Sequence, residues 1–471
     1  MADRVQLAII GAGPAGLAAA AEAAQCGVEV VLIDEQKAAG GQIYRGIGRA
    51  SQSAKEVLGP EYEHGASLLK TLNTELVTHL TNSAVWQVTP EREIYLTSDG
   101  ASRVLQADNI IIATGAMERP MPFPGWTLPG IMTAGAGQIL LKTAGLIPQG
   151  ELVLAGSGPL LFLIAAQYLR AGGTIGAIVE TTPRSNYLQA LRYLPGALRA
   201  NTYLRKGAKL LREIRKHKVP HYKGATHLKA TGARKVETLR FTCQDRQHEI
   251  SCSKLLLHIG VVPNVQITRS LNLDHEWDAP QRCWRPRLDE CGETEIEGII
   301  VAGDGGGIGG AMVAEIEGRI AGLWAAGKLG AISTKESKSR LGAERRRRDH
   351  HMAARPFIDA LYAPSQEFLT PPDETVVCRC EEVTAGQIRE YVEQGCLGPN
   401  QTKSFGRSGM GPCQGRFCGL PVSEIIADKI DKPMENVGYY RIRPPIKPVT
   451  LGELAAMHES EDGDSTNQEA S

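Results

Sequence analysis

The sequence has no long apolar run. Its longest, Leu160–Ala166, falls far short of the ~20 residues that cross a bilayer, so no transmembrane helix is expected. The N-terminus lacks a charged stretch followed by an apolar core and a cleavage site, and no secretory leader is read there. Neither sign of charge is in excess: 52 Lys and Arg stand against 52 Asp and Glu. That balance argues against a dedicated nucleic-acid binder. A C-x-x-C dithiol is also missing. The stretches GGQIYRG (40–46) and TAGAGQ (133–138) contain no cysteine, so a disulfide-reductase centre is not expected at either. Cys26, Cys243, Cys252, Cys283 and Cys291 show no paired redox spacing and read as small buried side chains. A reducing, cytoplasmic compartment follows as the expectation, and there clustered cysteines point to metal or redox chemistry rather than to disulfides.

Glycine is plentiful, 52 of 471 residues, above the usual ~7%. The excess sits in short loops after apolar runs. RVQLAIIGAGPAGLAAAAEAAQCGVEVVLIDE reads as strand, glycine turn, helix, strand. In Gly11-x-Gly13-x-x-Gly16, the first glycine permits a tight turn and the second lets backbone approach a pyrophosphate. The third lets the helix pack on the strand, with the anion at the helix N-terminus. Pro14 and Ala15 lie within that turn. Asp34 and Glu35 end the second strand about twenty residues on, where a carboxylate can bind a ribose hydroxyl. Gly41 and Gln42 follow. The order strand, glycine turn, helix, strand recurs at 151–180, so two doubly wound modules are expected. This second copy is weaker. Gly156-x-Gly158 is followed by Leu161 where a small residue belongs, and Glu180 would suit a ribose 2′-hydroxyl. NAD(P), another adenine nucleotide, or no ligand all remain open there.

Near the C-terminus five cysteines fall within 41 residues. Cys378-x-Cys380 is followed after 32 residues by Cys413-x4-Cys418. A [2Fe–2S] cluster needs four thiolates, which two cysteine pairs on glycine-rich loops can supply. Arg379, Arg407 and Arg416 lie nearby in sequence. Zinc is the competitor, though its common knuckles use C-x2–4-C pairs. Between the pairs, Thr384 and Gln387 form a capping-box pattern opening a helix that Gly395 ends. Cys396 fits neither pair and reads as non-ligating.

The domain reading is then residues 1–120 with 290–330 as a dinucleotide-binding domain and 121–289 as a central nucleotide fold. Residues 331–372 read as a charged helical linker, 373–430 as the cysteine domain, 431–458 as a proline-rich strap and 459–471 as a disordered tail. The basic run ERRRRDHH in the linker reads as a solvated helix face rather than an anion or membrane patch. The stretches around His217–His221, His248 and His350–His351 read as surface, and no acid–base residue is nominated.

Three resemblances add to this reading. Asp304, after Gly303 in VAGDGGGIGGAMVAEIEG, resembles the second flavin motif of the thioredoxin-reductase class, in which the aspartate binds the ribityl chain of FAD. Thr114–Gly115 in ATG (113–115) matches that class's crossover motif. The cysteine segment resembles the bacterioferritin-associated-ferredoxin type of [2Fe–2S] domain. With GMGPCQGRFC and RPPIKPVTLGEL, residues 3–455 resemble the large, or A, subunit of bacterial heteromeric amino-acid dehydrogenases. That family includes opine oxidases, D-hydroxyproline dehydrogenase and hydrogen cyanide synthase. The resemblance implies an α/β fold of two Rossmann-like modules plus a small helical [2Fe–2S] domain. It implies FAD, in some members an FMN at a subunit interface, a smaller FAD-containing subunit that oxidises the amino acid, and in some members a ferredoxin-like third subunit. Transfer to a respiratory acceptor would place the chain in the cytoplasm or at the inner face of the membrane. The implied function is electron relay. The alternatives are a glycine-oxidising hydrogen cyanide synthase subunit, an NAD(P)H-dependent flavin and iron–sulfur reductase, and a mainly structural docking subunit.

Overall fold

The computed structural model describes residues 3–457. Two sheets carry the architecture, the first mixed, with Glu93–Ser98 and Ala84–Val88 antiparallel at one edge, and the second all parallel. The first has the order Val77–Leu80, Val30–Ile33, Asp3–Ile10, Ala101–Ile112, Glu93–Ser98, Ala84–Val88, with Ile299–Val301 pairing parallel to the end of Ala101–Ile112. The chain therefore leaves this sheet at Ile112, builds the central module, and returns almost two hundred residues later to add a strand. Period-two alternation decides what each face meets. Leu7, Ile9 and Ile111 turn toward the helices Pro14–Gln25 and Ala311–Lys328, while Ala8, Ile10, Ile110 and Ile112 turn the other way. The apolar cluster on that second face continues into Val377, Cys378, Cys418, Val422 and Ile425 of the cysteine module.

The two helices on the first face approach very closely because small residues meet. A Cβ on Gly318 would overlap the Ala15 carbonyl, and one on Gly322 would come within 3.1 Å of the Ala19 Cα. Ala15 is buried at this crossing.

The central sheet is all parallel: His221–Lys223, Ala177–Glu180, Leu152–Ser157, Lys254–Ile259, Ile131–Thr133. An antiparallel meander of Thr226–Thr231, Thr238–Cys243 and Arg246–Ser251 lies beside it. Residues 266–273, within the span expected for the central domain, instead place Ile267, Leu271 and Leu273 in the flavin-side cluster.

Residues 331–372 are packed helices. Thr334–Met352 runs against Ala311–Lys328, with Arg340 paired to Glu22 and Leu341 buried. Beyond it, Arg355–Leu361 packs on Arg184–Leu191, and Phe368 enters the central core. The expected tail 459–471 lies outside the described residues.

Candidate functional site

The N-terminal loop keeps a gap where an anion would sit. Gly11 takes φ +108°, and a Cβ there would meet the Ala113 carbonyl at 2.5 Å. A Cβ on Gly16 would overlap the Gly11 carbonyl. Gly13 differs: its only neighbour is the Gly41 Cα at 3.8 Å, so the space over it is open. The helix Pro14–Gln25 that starts here has no side-chain cap, leaving its first amides facing that space.

Asp34 and Glu35 are not equivalent. Ala12 N donates to Asp34 Oδ2 (2.6 Å) and Gln36 N to Oδ1 (2.7 Å), so the buried Asp34 carboxylate holds the glycine loop itself. Glu35 is part exposed and pairs with Lys447 of the C-terminal strap. Across the site, Gly309 N and Gly310 N both donate to Asp304 Oδ1 at 2.8 Å. Burial pushes the Asp304 carboxyl up, and those two amides oppose it. Glu317, pushed up to about 7 by burial and by Asp304, accepts from Gly303 N (3.1 Å). Asn264 N donates to Gly115 O (2.9 Å), tying the crossover to the returning chain.

Lys142 had no signal in the sequence. It is buried without a carboxylate, and its Nζ donates to Gln42 O (2.9 Å) and Gln138 Oε1 (2.8 Å). Gln138 Nε2 continues to Gln167 Oε1, and Gln167 Nε2 to Leu58 O. Burial, with the Arg45 charge, pulls the Lys142 ammonium down to about 7. This chain of polar groups ties the central module to the loop after Gly41.

The central loop has the same outline and no gap. Cβ atoms on Gly156 and Gly158 would run into His258, its carbonyl at the first position and its ring (3.1 Å) at the second. His258 is itself held by Glu118 Oε1, 2.8 Å from its Nδ1, while Glu118 Oε2 accepts from Gly135 N. Glu180, expected at a ribose, is buried and occupied: His221 Nε2 lies 2.8 Å away and Tyr187 OH donates at 3.1 Å. Partial burial, and after it the Glu180 charge, raises the Tyr362 phenol, and Asn186 Nδ2 donates to Leu361 O and Ala363 O. His221 is thus a buried-edge partner, not the surface residue expected. Leu161, where a small residue was expected, is fully buried.

In the cysteine module the four candidate thiols come together as two pairs. Cys378 ends the strand Val376–Cys378 and Cys418 precedes the helix Gly419–Lys429. Both are buried, and Cys418 donates to the Cys378 sulfur. Chiefly that bond, with Gly409 N, Glu381 N and Ser408 Oγ, holds the Cys378 thiol down at about 5 against the effect of burial. Cys380, exposed, and Cys413, part exposed, form the second pair. Gly411 leaves room for it, since a Cβ there would reach the Cys380 Sγ at 3.0 Å. Among the described residues no three His, Cys, Asp or Glu surround a single metal position. Cys396 is buried apart, its thiol donating to Gly398 O.

The strap closes over this module. The Tyr440 ring lies against Gly409 and Gly415, and its hydroxyl meets Thr402 (3.1 Å) and Ser408 (3.2 Å). Arg416 Nη2 donates to Ile446 O (2.6 Å), and its charge acts on both Glu35 and Cys413. Arg379 stacks over Trp126 (5.4 Å), whose indole N–H donates to Val376 O (2.7 Å). Arg407 pairs with Glu381.

Comparison with known proteins matches residues 5–318 to the pyridine nucleotide-disulphide oxidoreductase family and residues 373–458 to the sarcosine oxidase A3 domain. The opine oxidase A-subunit of Rhizobium meliloti is 42% identical over 95% of this chain and 87% of that protein. The chain belongs to the opine oxidase A-subunit family. Hydrogen cyanide synthase subunit HcnB of Pseudomonas aeruginosa is 30% identical over 94% of this chain and 96% of its own length. Among solved structures, L-proline dehydrogenase from P. horikoshii superposes with TM-score 0.70 over 96% of this chain and 80% of that one, at 19% identity. Thioredoxin reductase from T. acidophilum gives TM-score 0.50 over 69% of this chain and 98% of that one. These two share the fold. The family resemblance and the two-Rossmann fold read from the sequence are both borne out, and the chain is an oxidoreductase of a flavin-binding family.

Proposed function

We propose that this chain is the electron-relay subunit of a heteromeric dehydrogenase or oxidase of an amino or imino acid. It would hold FAD in the N-terminal module and a [2Fe–2S] cluster on Cys378, Cys380, Cys413 and Cys418. Oxidation of the substrate falls to a smaller flavoprotein partner. The observation that carries the reading is the pairing of four thiols, two and two, on a module packed against the flavin sheet. Two pairs match a two-iron centre, each iron taking two thiolates. Opine oxidase and hydrogen cyanide synthase relatives, both named as subunits, supply the amino-acid and heteromeric parts of the proposal.

The residues fit FAD. The open face of Gly13 and the uncapped amides after it suit a pyrophosphate, and Glu35, less committed than Asp34, suits the ribose. Asp304 keeps Oδ2 for a ribityl hydroxyl while Gly309 and Gly310 fix Oδ1. Bound together, a flavin takes electrons in pairs and a [2Fe–2S] centre passes them singly, so the two convert one current into the other. The protein's part is to position and insulate. Gly409 N, Glu381 N and Ser408 Oγ support sulfur as thiolate at Cys378, Tyr440 excludes water from that side, and Cys380 remains at the surface.

The test is Cys413→Ser in the full chain, read by iron and sulfide content and by the visible and EPR spectra. Cluster signals should vanish while FAD stays bound. Full iron and sulfide in the variant would refute the ligand set. The isolated chain should not oxidise amino acids. Robust oxidation of proline derivatives, opines or glycine without a partner would end the relay reading.

A further inference from the structure

Two basic segments, far apart in sequence, meet on one face of the molecule. The helices Arg184–Leu191 and Leu194–Arg199 show Leu188, Leu191 and Leu198 to solvent at 73%, 55% and 56% exposure, with Tyr187 and Tyr193 beside them. Arg184, Tyr187, Leu188 and Leu191 share one side of the first helix by their spacing, while Asn186 and Ala190 face inward. Arg192 and Arg199 interleave with the leucines. From Thr181 to Arg212 the sequence holds seven Lys and Arg and no Asp or Glu.

The second segment is the C-terminal end of the helix Thr334–Met352, which carries Arg345–Arg348, His350 and His351. It abuts the first. Tyr203 OH lies 3.1 Å from His351 Nδ1, and a Cβ on Gly196 would meet the Ala353 carbonyl at 2.6 Å. The carboxylates around the patch are already engaged: Glu61 with Lys206, Glu213 with Arg170, Glu344 with Arg347, Asp349 with Arg348, Asp359 with Arg355. Arg184, Arg192, Arg199, Arg205 and Arg346 form no ion pair among the described residues.

We propose that this face docks the protein on an anionic lipid bilayer. Leucine and tyrosine side chains that stand in water at such exposure are costly unless something apolar covers them. Arginines placed among them can lay their stems along the acyl boundary and reach headgroup phosphates, as interfacial amphipathic helices do. The uncompensated positive charge selects an anionic surface, each cation near it adding to the attraction. No helix among the described residues is long and apolar enough to cross a membrane, so the contact is peripheral. The basic run, which by itself reads as a solvated face, acquires this role only because the fold sets the leucines beside it. The inference does not depend on the redox assignment.

The experiment is sedimentation of the purified full chain, and of the chain co-expressed with its partner subunit, with vesicles. One set is phosphatidylglycerol mixed with phosphatidylcholine and the other is phosphatidylcholine alone. Binding to the anionic vesicles should be at least roughly tenfold tighter and should weaken progressively as added salt shortens the Debye length from about 10 Å at 0.1 M toward about 3 Å at 1 M. Leu188→Asp with Leu191→Asp should abolish it, and Arg192→Glu with Arg199→Glu should weaken it about tenfold or more. Both variants should keep wild-type thermal melting and flavin content, since these side chains are exposed. Absence of vesicle binding, or equal binding to neutral and anionic vesicles, overturns the proposal. So does failure of the assembled complex to bind, or a leucine variant that still binds vesicles but no longer assembles, which would make the face a subunit interface.

Discussion

The two nucleotide folds in this chain share one plan and differ in what fills it. In the N-terminal module the glycine loop faces open space over Gly13, and Asp34 is spent on holding that loop in shape. In the central module the ring of His258 lies against Gly158, and Glu180 is bound by His221 and Tyr187 with Tyr362 beside it. The glycines are retained in both. A Rossmann turn therefore reports the backbone path, while ligand binding depends on whether the protein's own side chains leave room. We read the central module as a scaffold, tied to the N-terminal glycine loop through Lys142 and to the cysteine module through Trp126.

The sharpest break would come at the paired glycines. Gly13→Val places a branched side chain where only a ligand should stand, and FAD occupancy should collapse. Gly158→Ala should leave FAD content unchanged and lower stability by about 1–3 kcal/mol, from its +115° φ and the His258 contact. Flavin absorbance per protein and a thermal melt measure both. Equal flavin loss in the two variants would erase the distinction drawn between the modules.

Lys142 gives a smaller effect with a definite sign. Its ordinary value near 10.5 is lowered to about 7 by burial, so between those values the unfolded chain holds a proton that the folded one has released. Stability should then rise with pH across that window and be fully gained only above the unfolded value. From pH 7 to 9, wild type should gain up to about 2 kcal/mol relative to Lys142→Met in urea melts. A parallel pH dependence in the two proteins would show that the buried amine stays charged.

Asp304→Asn keeps the shape and removes the charge, so FAD should bind roughly tenfold more weakly, measured by retention on dilution. The smallest effect is a null one. NADH should not bleach the flavin of the isolated chain in stopped flow, because the central site is filled. Rapid bleaching would favour a nicotinamide-dependent reductase and sink the view of the central module as scaffold.

Much of the fold was legible because its signals are local. A strand, a glycine turn and a helix lie within about twenty residues at each nucleotide fold, and the capping box at Thr384–Gln387 formed as its spacing indicates. The pairing of cysteines was only half legible. Sequence groups Cys378 with Cys380 and Cys413 with Cys418, whereas the side chains meet across those groups, Cys378 with Cys418 and Cys380 with Cys413. Alternation along Val376–Cys378 and the turn after it send neighbouring thiols to different sides, and only the packing of Gly419–Lys429 brings the second pair to meet them.

What the sequence determined by itself, then, is the set of local shapes: two glycine turns that each require backbone without Cβ, two apolar strand sets, and four thiols in two closely spaced pairs. Tertiary structure decided which shapes stay available to ligands. His258 fills Gly158 from a strand about a hundred residues away, Tyr362 reaches Glu180 from beyond the second flavin motif, and Lys447 finds Glu35 across 412 residues. The leucines of Arg184–Arg199 join the basic end of Thr334–Met352 only by folding. Occupied space and opposed charge are properties of neighbours in three dimensions, and a linear pattern carries no record of them until the long-range contacts form.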